Sequence, residues 1–235
     1  MNASSLRADP TDGIVQLGPR APALAPSILA GHGRREGDHT GDRHRVPMAI
    51  SDAFVADILK PYRKHATYLK SAEITQFSEK ALRDSNSGEI LVTGIGRFSI
   101  PESCYIDDTG HFNAVEFNIC YNQLAYVVFA KCVDAGLMHQ FWSANLQQYI
   151  PSFAEYKRQQ LPAMLIVRVD GVRFFKQMKS EDFRAELTVD RMTVFGQAGF
   201  FFTSITFSDC EGVKASGSVV LAFQPDLTQL KAYAT

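Results

Sequence analysis

The segment Tyr105–Tyr126, YIDDTGHFNAVEFNICYNQLAY, holds the residues whose types and spacing could do chemistry. It reads as a turn followed by a helix that is apolar nearly all round yet carries Asn113, Glu116, Asn118, Asn122 and Gln123. A helix wrapped in apolar residues belongs inside a fold, and a buried amide without a hydrogen bond costs a few kcal/mol (about 1–3). Uncharged polar groups set into such a helix, just after a Gly-His turn, suit a ligand group that is polar but short of a full charge. A thioester carbonyl is a group of that kind.

The elements that must position these residues can be read from the flanking pattern. Ser51 can cap a short helix, DAFVADILKPY, ending near Pro61. Residues 66–77 and 89–100 read as two strands separated by the turn cluster LRDSNSGE, with Pro101 ending the second. The long helix is expected from about Asn113 to Ala135, with Gly136 placed for its C-cap. Residues 141–160 read as a shorter helical excursion broken at Pro151. Four segments of 13 or 14 residues follow, AMLIVRVDGVRFFK, FRAELTVDRMTVFG, GFFFTSITFSDCEG and VKASGSVVLAFQP. Alternation at Ala185, Leu187, Val189 and at Ile205, Phe207 marks them as strands, and GQAG and DCEG as hairpin turns. The order helix, two strands, long helix, four strands predicts an α+β fold: a curved antiparallel sheet wrapped around one long buried helix, the hot-dog arrangement.

Composition narrows the function classes. With 235 residues and 46% hydrophobic content the chain can bury a full core. A net charge of −1 offers no whole-chain field for nucleic acid. No run of about twenty apolar residues predicts a membrane span, and the proline-broken stretch 21–31 is too short and late for an export signal. Cys104, Cys120, Cys132 and Cys210 lack metal-ligand spacing and read as reduced, which suits a cytoplasmic protein. Cys104 also reads as a thiol beside the candidate site. Residues 1–47, rich in Pro, Gly and charge, read as a disordered tail or as a stretch ahead of a start at Met48; residues 48–225 form the expected domain and 226–235 a C-terminal tail. His32, His39 and His44 have no framework that would fix a metal.

The run TGHFNAVE, the pattern PxxCYIxxTGHFNAVE, the helix motif CYNQLAY, the strand end VRFFK and the pair Pro61-Tyr62 closely resemble the FcoT-like long-chain acyl thioesterases, a hot-dog family. The resemblance spans about residues 50–224. It implies a pocket lined by two tyrosines and two asparagines, which fall on Tyr62, Tyr105, Asn113 and Asn122. The acidic turn Asp107-Asp108-Thr109 departs from the family's pattern and echoes hot-dog thioesterases that use a carboxylate. Some members of the family are implied to add glycine to a 2-enoyl thioester on an acyl carrier protein, then hydrolyse the thioester to release a 3-(carboxymethylamino) fatty acid. The expected function is therefore an acyl-thioester enzyme of that type. The alternatives are a long-chain acyl-CoA or acyl-carrier thioesterase without the amine step, and a non-catalytic acyl-binding module.

Enolate and tetrahedral oxyanion both place charge on the thioester oxygen, so donors aimed there serve both steps. The helix N-terminus supplies free N–H groups, and Gly110 lets backbone approach closely. Asn113 reads as an N-cap or as a catalytic donor, His111 as a general base or a structural hydrogen-bonder. Glu116 reads as a base with a raised pKa or as an anchor for strand N–H groups. Tyr105 and Asn122 would orient the water or amine, and Tyr62 would donate to the carbonyl. Gln123 shares a face with Asn113 and Glu116 and is expected to line the substrate site. Arg97, Arg173 and Lys176 are expected to meet the glycine carboxylate or the phosphopantetheine phosphate of carrier or CoA. No metal or redox cofactor is implied, and the resemblance implies a homo-oligomer paired through sheet edges.

Overall fold

The structure, a computed structural model, describes residues 47–84, 86–107, 111–137, 152–196 and 198–224. The expected tails, apart from Pro47, lie outside these residues, as do Gly110, Asp108, Thr109 and the three tail histidines.

The strands follow from alternation. In β5 (Phe183–Phe195) the residues Phe183, Ala185, Leu187 and Val189 point inward, and in β6 (Ala198–Asp209) so do Phe201, Thr203, Ile205 and Phe207. Gly196 at φ 61° and Gly212 at φ 110° turn the chain into β6 and into β7 (Gly212–Phe223), conformations that favour glycine. Upstream come β1 (Met48–Ile50), β2 (Leu69–Phe77) and β3 (Val92–Phe98), and β4 (Met164–Phe174) precedes β5. All pairings are antiparallel, in the order β1-β2-β3-β5-β6-β7-β4. The edges are thus the three-residue β1 and the eleven-residue β4.

Helix α1 (Asp52–Ile58) starts where expected, Ser51 Oγ accepting from Phe54 N at 3.3 Å. A five-residue helix α2 (Glu79–Arg83), capped by Ser78, was not expected and runs into the turn cluster read at residues 82–89. The long helix α3 (Ala114–Asp134) carries no polar stripe of ordinary width because the sheet wraps it. Val128 fills the space over Gly94, Leu124 that over Gly96, and Phe117 that over Gly217. Phe129 stacks edge-on with Phe201 at 4.6 Å, and the Tyr121 hydroxyl meets Thr203 Oγ1 at 2.7 Å. Each such large apolar side chain, fully buried, contributes about 1.5–3 kcal/mol. Gly136, at φ 68°, ends α3: Leu137 N donates to Cys132 O and Gly136 N to Val133 O. The expected excursion at 141–160 lies outside the described residues as far as 151. Beyond it runs α4 (Phe153–Ala163), opened by a capping box between Ser152 and Glu155. It continues past residue 160 to Ala163, with Pro162 in its last turn. This is the hot-dog arrangement, an α+β fold with one long helix held by an antiparallel sheet. No described helix is long and apolar enough to cross a membrane.

Candidate active site

The site is built at the head of α3. Asn113 is the N-cap: its Oδ1 accepts from Val115 N at 2.8 Å. Its Nδ2 donates to the Tyr105 hydroxyl at 2.9 Å. The N-cap reading of this residue is thus seen in its amide oxygen, while its amide nitrogen is engaged by Tyr105. Tyr105, 51% exposed, stands in the loop between β3 and α3 with the positive end of the helix dipole beside it. A cavity of about 570 Å³ opens there, lined by His111, Phe112, Asn113, Phe174, Phe175 and Lys176. Phe112 is anchored by a cluster of rings, Phe207 at 4.8 Å and Phe183 at 5.3 Å.

His111 also lines a second cavity, of about 360 Å³, with Glu102, Ser103, Glu116, Ser180 and Glu181. Glu116 is only 2% exposed. Its Oε1 accepts from Ser103 Oγ at 2.8 Å, and its Oε2 has no hydrogen-bond partner. The expected anchoring of strand N–H groups by Glu116 is therefore replaced by a serine hydroxyl from the adjoining loop. Close by, the buried Tyr68 hydroxyl has no partner of full hydrogen-bond geometry. Burial, then the Cys104 thiol beside it and Glu116, push its pKa above the ordinary range. Tyr68 and Ser103 carried no signal in the sequence beyond ordinary strand and loop positions. Cys104 packs against the core at this point.

The four family positions do not all converge within one chain. Tyr105 and Asn113 are joined, whereas Asn122 lies nine residues on, about 13 Å along the helix axis. Its half-buried amide has no hydrogen bond among the described residues, and it shares a partly uncovered stripe with Val115, Asn118 and Tyr126. Tyr62 packs its ring 6.4 Å from that of Tyr126, and burial raises its pKa.

Three expected substrate contacts are corrected. Gln123 is fully buried, its Oε1 accepting from Tyr68 N and Leu69 N, each at 2.9 Å, and its Nε2 donating to Ala66 O at 2.6 Å. It ties the start of β2 to α3 and, fully buried, presents no polar atom to a ligand. Arg97 is exposed on the sheet's outer face, paired with Asp182 at 3.3 Å, because Gly96 and Phe98 take the inward positions of β3. Arg173 is likewise exposed, between the inward-packed Val172 and Phe174. Lys176 alone of the three cations lines the cavity at Asn113. Among the described residues no cluster of His, Cys, Asp and Glu could hold a metal ion.

Residues 57–223 match the family described as FcoT-like thioesterase domain. A protein of Streptomyces coeruleorubidus named (2E)-enoyl-[ACP] glycyltransferase is 34% identical over 177 residues, covering 73% of this chain and 96% of its own. Relatives of the same name from Mycobacterium marinum and Mycobacterium tuberculosis are 33% and 34% identical over 74% of this chain, and over 86% and 87% of theirs. A solved thioesterase from Pseudomonas aeruginosa superposes with a TM-score of 0.33 at 10% identity, over 66% of this chain and 81% of that one. A family match across most of the sheet and the whole of α3, with relatives at a third identity over nearly their full length, decides the matter: the chain belongs to the FcoT-like thioesterase domain family.

Proposed function

We propose that the protein adds glycine to a 2-enoyl thioester on an acyl carrier protein and then hydrolyses the thioester, releasing a 3-(carboxymethylamino) fatty acid. The observation that carries this reading is the Asn113–Tyr105 pair at the head of α3, beside a cavity walled by Phe112, Phe174 and Phe175. Its aromatic wall suits an acyl chain, and the helix end suits the oxygen that becomes enolate and then oxyanion. One donor of that kind is worth about 3–4 kcal/mol of barrier. The names of the relatives support the same substrate.

The chemistry forms C–N, C–H and C–O bonds and breaks a C–S bond without a redox change, and the proposal calls on no prosthetic group beyond the phosphopantetheine that carries the substrate. Lys176, which lines the same cavity, is assigned in this proposal to its phosphate or to the glycine carboxylate. Carrier thioesters and four unpaired cysteines suit the cytoplasm. A homo-oligomer belongs to the proposal: Leu165, Ile166, Val167 and Val169 are exposed along β4, an edge unpaired among the described residues that a second copy would cover.

The test incubates the protein with a 2-enoyl carrier thioester, with and without glycine, and follows products by mass spectrometry. A glycine adduct and its free acid are expected. Free enoic acid alone would point to plain thioester hydrolysis, and no turnover with retained acyl binding to a binding module. Asn122→Ala should cut turnover about a hundredfold while leaving the melting temperature within about 2 °C, since its amide ties nothing. Wild-type turnover in that variant would remove Asn122 from the site.

A further inference from the structure

Glu116 is a buried carboxylate with one oxygen bonded to Ser103 and the other bonded to nothing. An unmet acceptor in that position lowers stability, so it calls for an explanation. The cavity it lines differs in character from its neighbour. Apart from Ile100 and Pro101 its walls are hydroxyl, imidazole and carboxylate, with Glu102, Glu116 and Glu181 all contributing. Glu102 and Glu181 are exposed at the rim, whereas Glu116 is at the floor. The walls are held in place by Ile100 N, which donates to Ser180 O at 2.7 Å. A pocket of this kind repels a fatty chain and an isolated anion and attracts a small cation. His111 is common to it and to the aromatic cavity at Asn113, so whatever occupies the two meets across that side chain.

We infer that the acidic cavity is the amine subsite, taking the ammonium group of the incoming amino acid, with Glu116 as the base that frees its nitrogen. The inference rests on the glycine-adding reading above. The ammonium gives one proton to the Glu116 carboxylate. The nitrogen lone pair then forms a bond to C3 of the enoyl group, and the C2–C3 π electrons move to the thioester oxygen as an enolate. Glu116 returns its proton to C2 as the enolate collapses. The sum is addition of N–H across the double bond, with the product nitrogen a secondary ammonium and the carboxylate regenerated. Glycine's own carboxylate is directed away from the three glutamates, towards the adjoining groove where Lys176 stands.

The test measures glycine KM and kcat for adduct formation on a 2-enoyl carrier thioester. Glu116→Gln keeps the shape and an acceptor for Ser103 but removes the base and the charge. Its adduct formation should fall about 10²–10⁴-fold. The double variant E102Q/E181Q alters exposed residues only and should raise glycine KM about tenfold with kcat within about threefold, the signature of lost binding alone. A folded Glu116→Gln protein with wild-type KM and kcat overturns the inference and leaves the glycine-adding reading standing. Should that variant fail to fold, an unchanged glycine KM in the double variant overturns it instead. A wild-type protein that forms no adduct takes down both.

Discussion

Gln123 gives the sharpest separation between a residue that holds the fold and one that handles substrate. Its carbonyl oxygen takes the N–H groups of both Tyr68 and Leu69, and its amide nitrogen reaches Ala66 O. Gln123→Leu preserves volume and removes all three bonds. Tyr68 and Leu69 are buried, so their N–H groups have no water to turn to. Ala66 is half-buried, and its carbonyl can be rehydrated. Two orphaned buried donors at about 1–3 kcal/mol each predict a loss of about 2–6 kcal/mol. For a domain of this size 1 kcal/mol moves the melting temperature by about 2–4 °C, so a drop on the order of 10 °C is expected. Gln123→Glu, which keeps the acceptor but loses the donor to Ala66, should fall between. Thermal and urea unfolding give the stability, and adduct formation at low temperature, per folded molecule, gives the function. Turnover should stay within a few-fold of wild type. A Leu variant that melts within about 2 °C of wild type yet cannot turn over would return Gln123 to the substrate side and refute the structural role.

Two further outcomes test the seat of α3. A Cβ at Gly96 would lie 2.7 Å from Leu69 Cδ1 and 2.9 Å from Leu124 Cδ1, so Gly96→Ala should cost about 1–3 kcal/mol in urea unfolding; an unchanged midpoint would mean the helix can lift off the sheet freely. Burial pushes the Cys132 thiol up to about 12, and that of Cys120 well above its ordinary value. In the unfolded chain these thiols ionise above about pH 8.5, whereas in the fold they stay neutral. Their contribution is therefore intact below pH 8.5 and declines as pH rises towards 12, by about 1.4 kcal/mol per pH unit per thiol. Cys132→Ala should flatten the fall in urea midpoint between pH 9 and 11; parallel curves for variant and wild type would contradict the burial of this thiol.

The parts of the fold that could be read in advance are those where one physical signal repeats. Leu187 and Val189, or Ile205 and Phe207, alternate over enough residues to fix strand and face, and Gly196 and Gly212 mark the turns. Strand β1 has three residues, too few for any period, and exists because β2 offers it an edge, Ala49 opposite Glu73. Helix α2 is five residues long inside a turn-rich stretch, where a Ser78 cap is the sole local cue. The outward direction of Arg97 was available from parity, since Gly94, Gly96 and Phe98 already occupy the inward positions. The role of Gln123 was not, because its partners Tyr68 and Leu69 lie 55 and 54 residues away in sequence.

What separates function from structure on α3 is which polar atoms remain unanswered. Asn113 is used twice, Asn118 donates back to Ala114 O, Tyr121 meets Thr203, and Gln123 holds β2. Sequence placed all of these in the helix but could not divide them, since a satisfied amide and an idle one have the same spelling. The structure leaves Glu116 Oε2 and the Asn122 amide without protein partners among the described residues. At Glu116 folding alone would be better served by leucine, by the margin an unpaired buried acceptor costs, whereas the half-buried Asn122 amide is open to hydration. Glu116 opens onto a carboxylate-walled cavity and Asn122 onto the uncovered stripe of the helix. The two unanswered groups therefore point to two different partners, a small cation for the first and either the acyl thioester or a second subunit for the second. That division is why variants at these positions should differ in kind: Glu116→Gln in its response to glycine, Asn122→Ala in turnover at every glycine concentration.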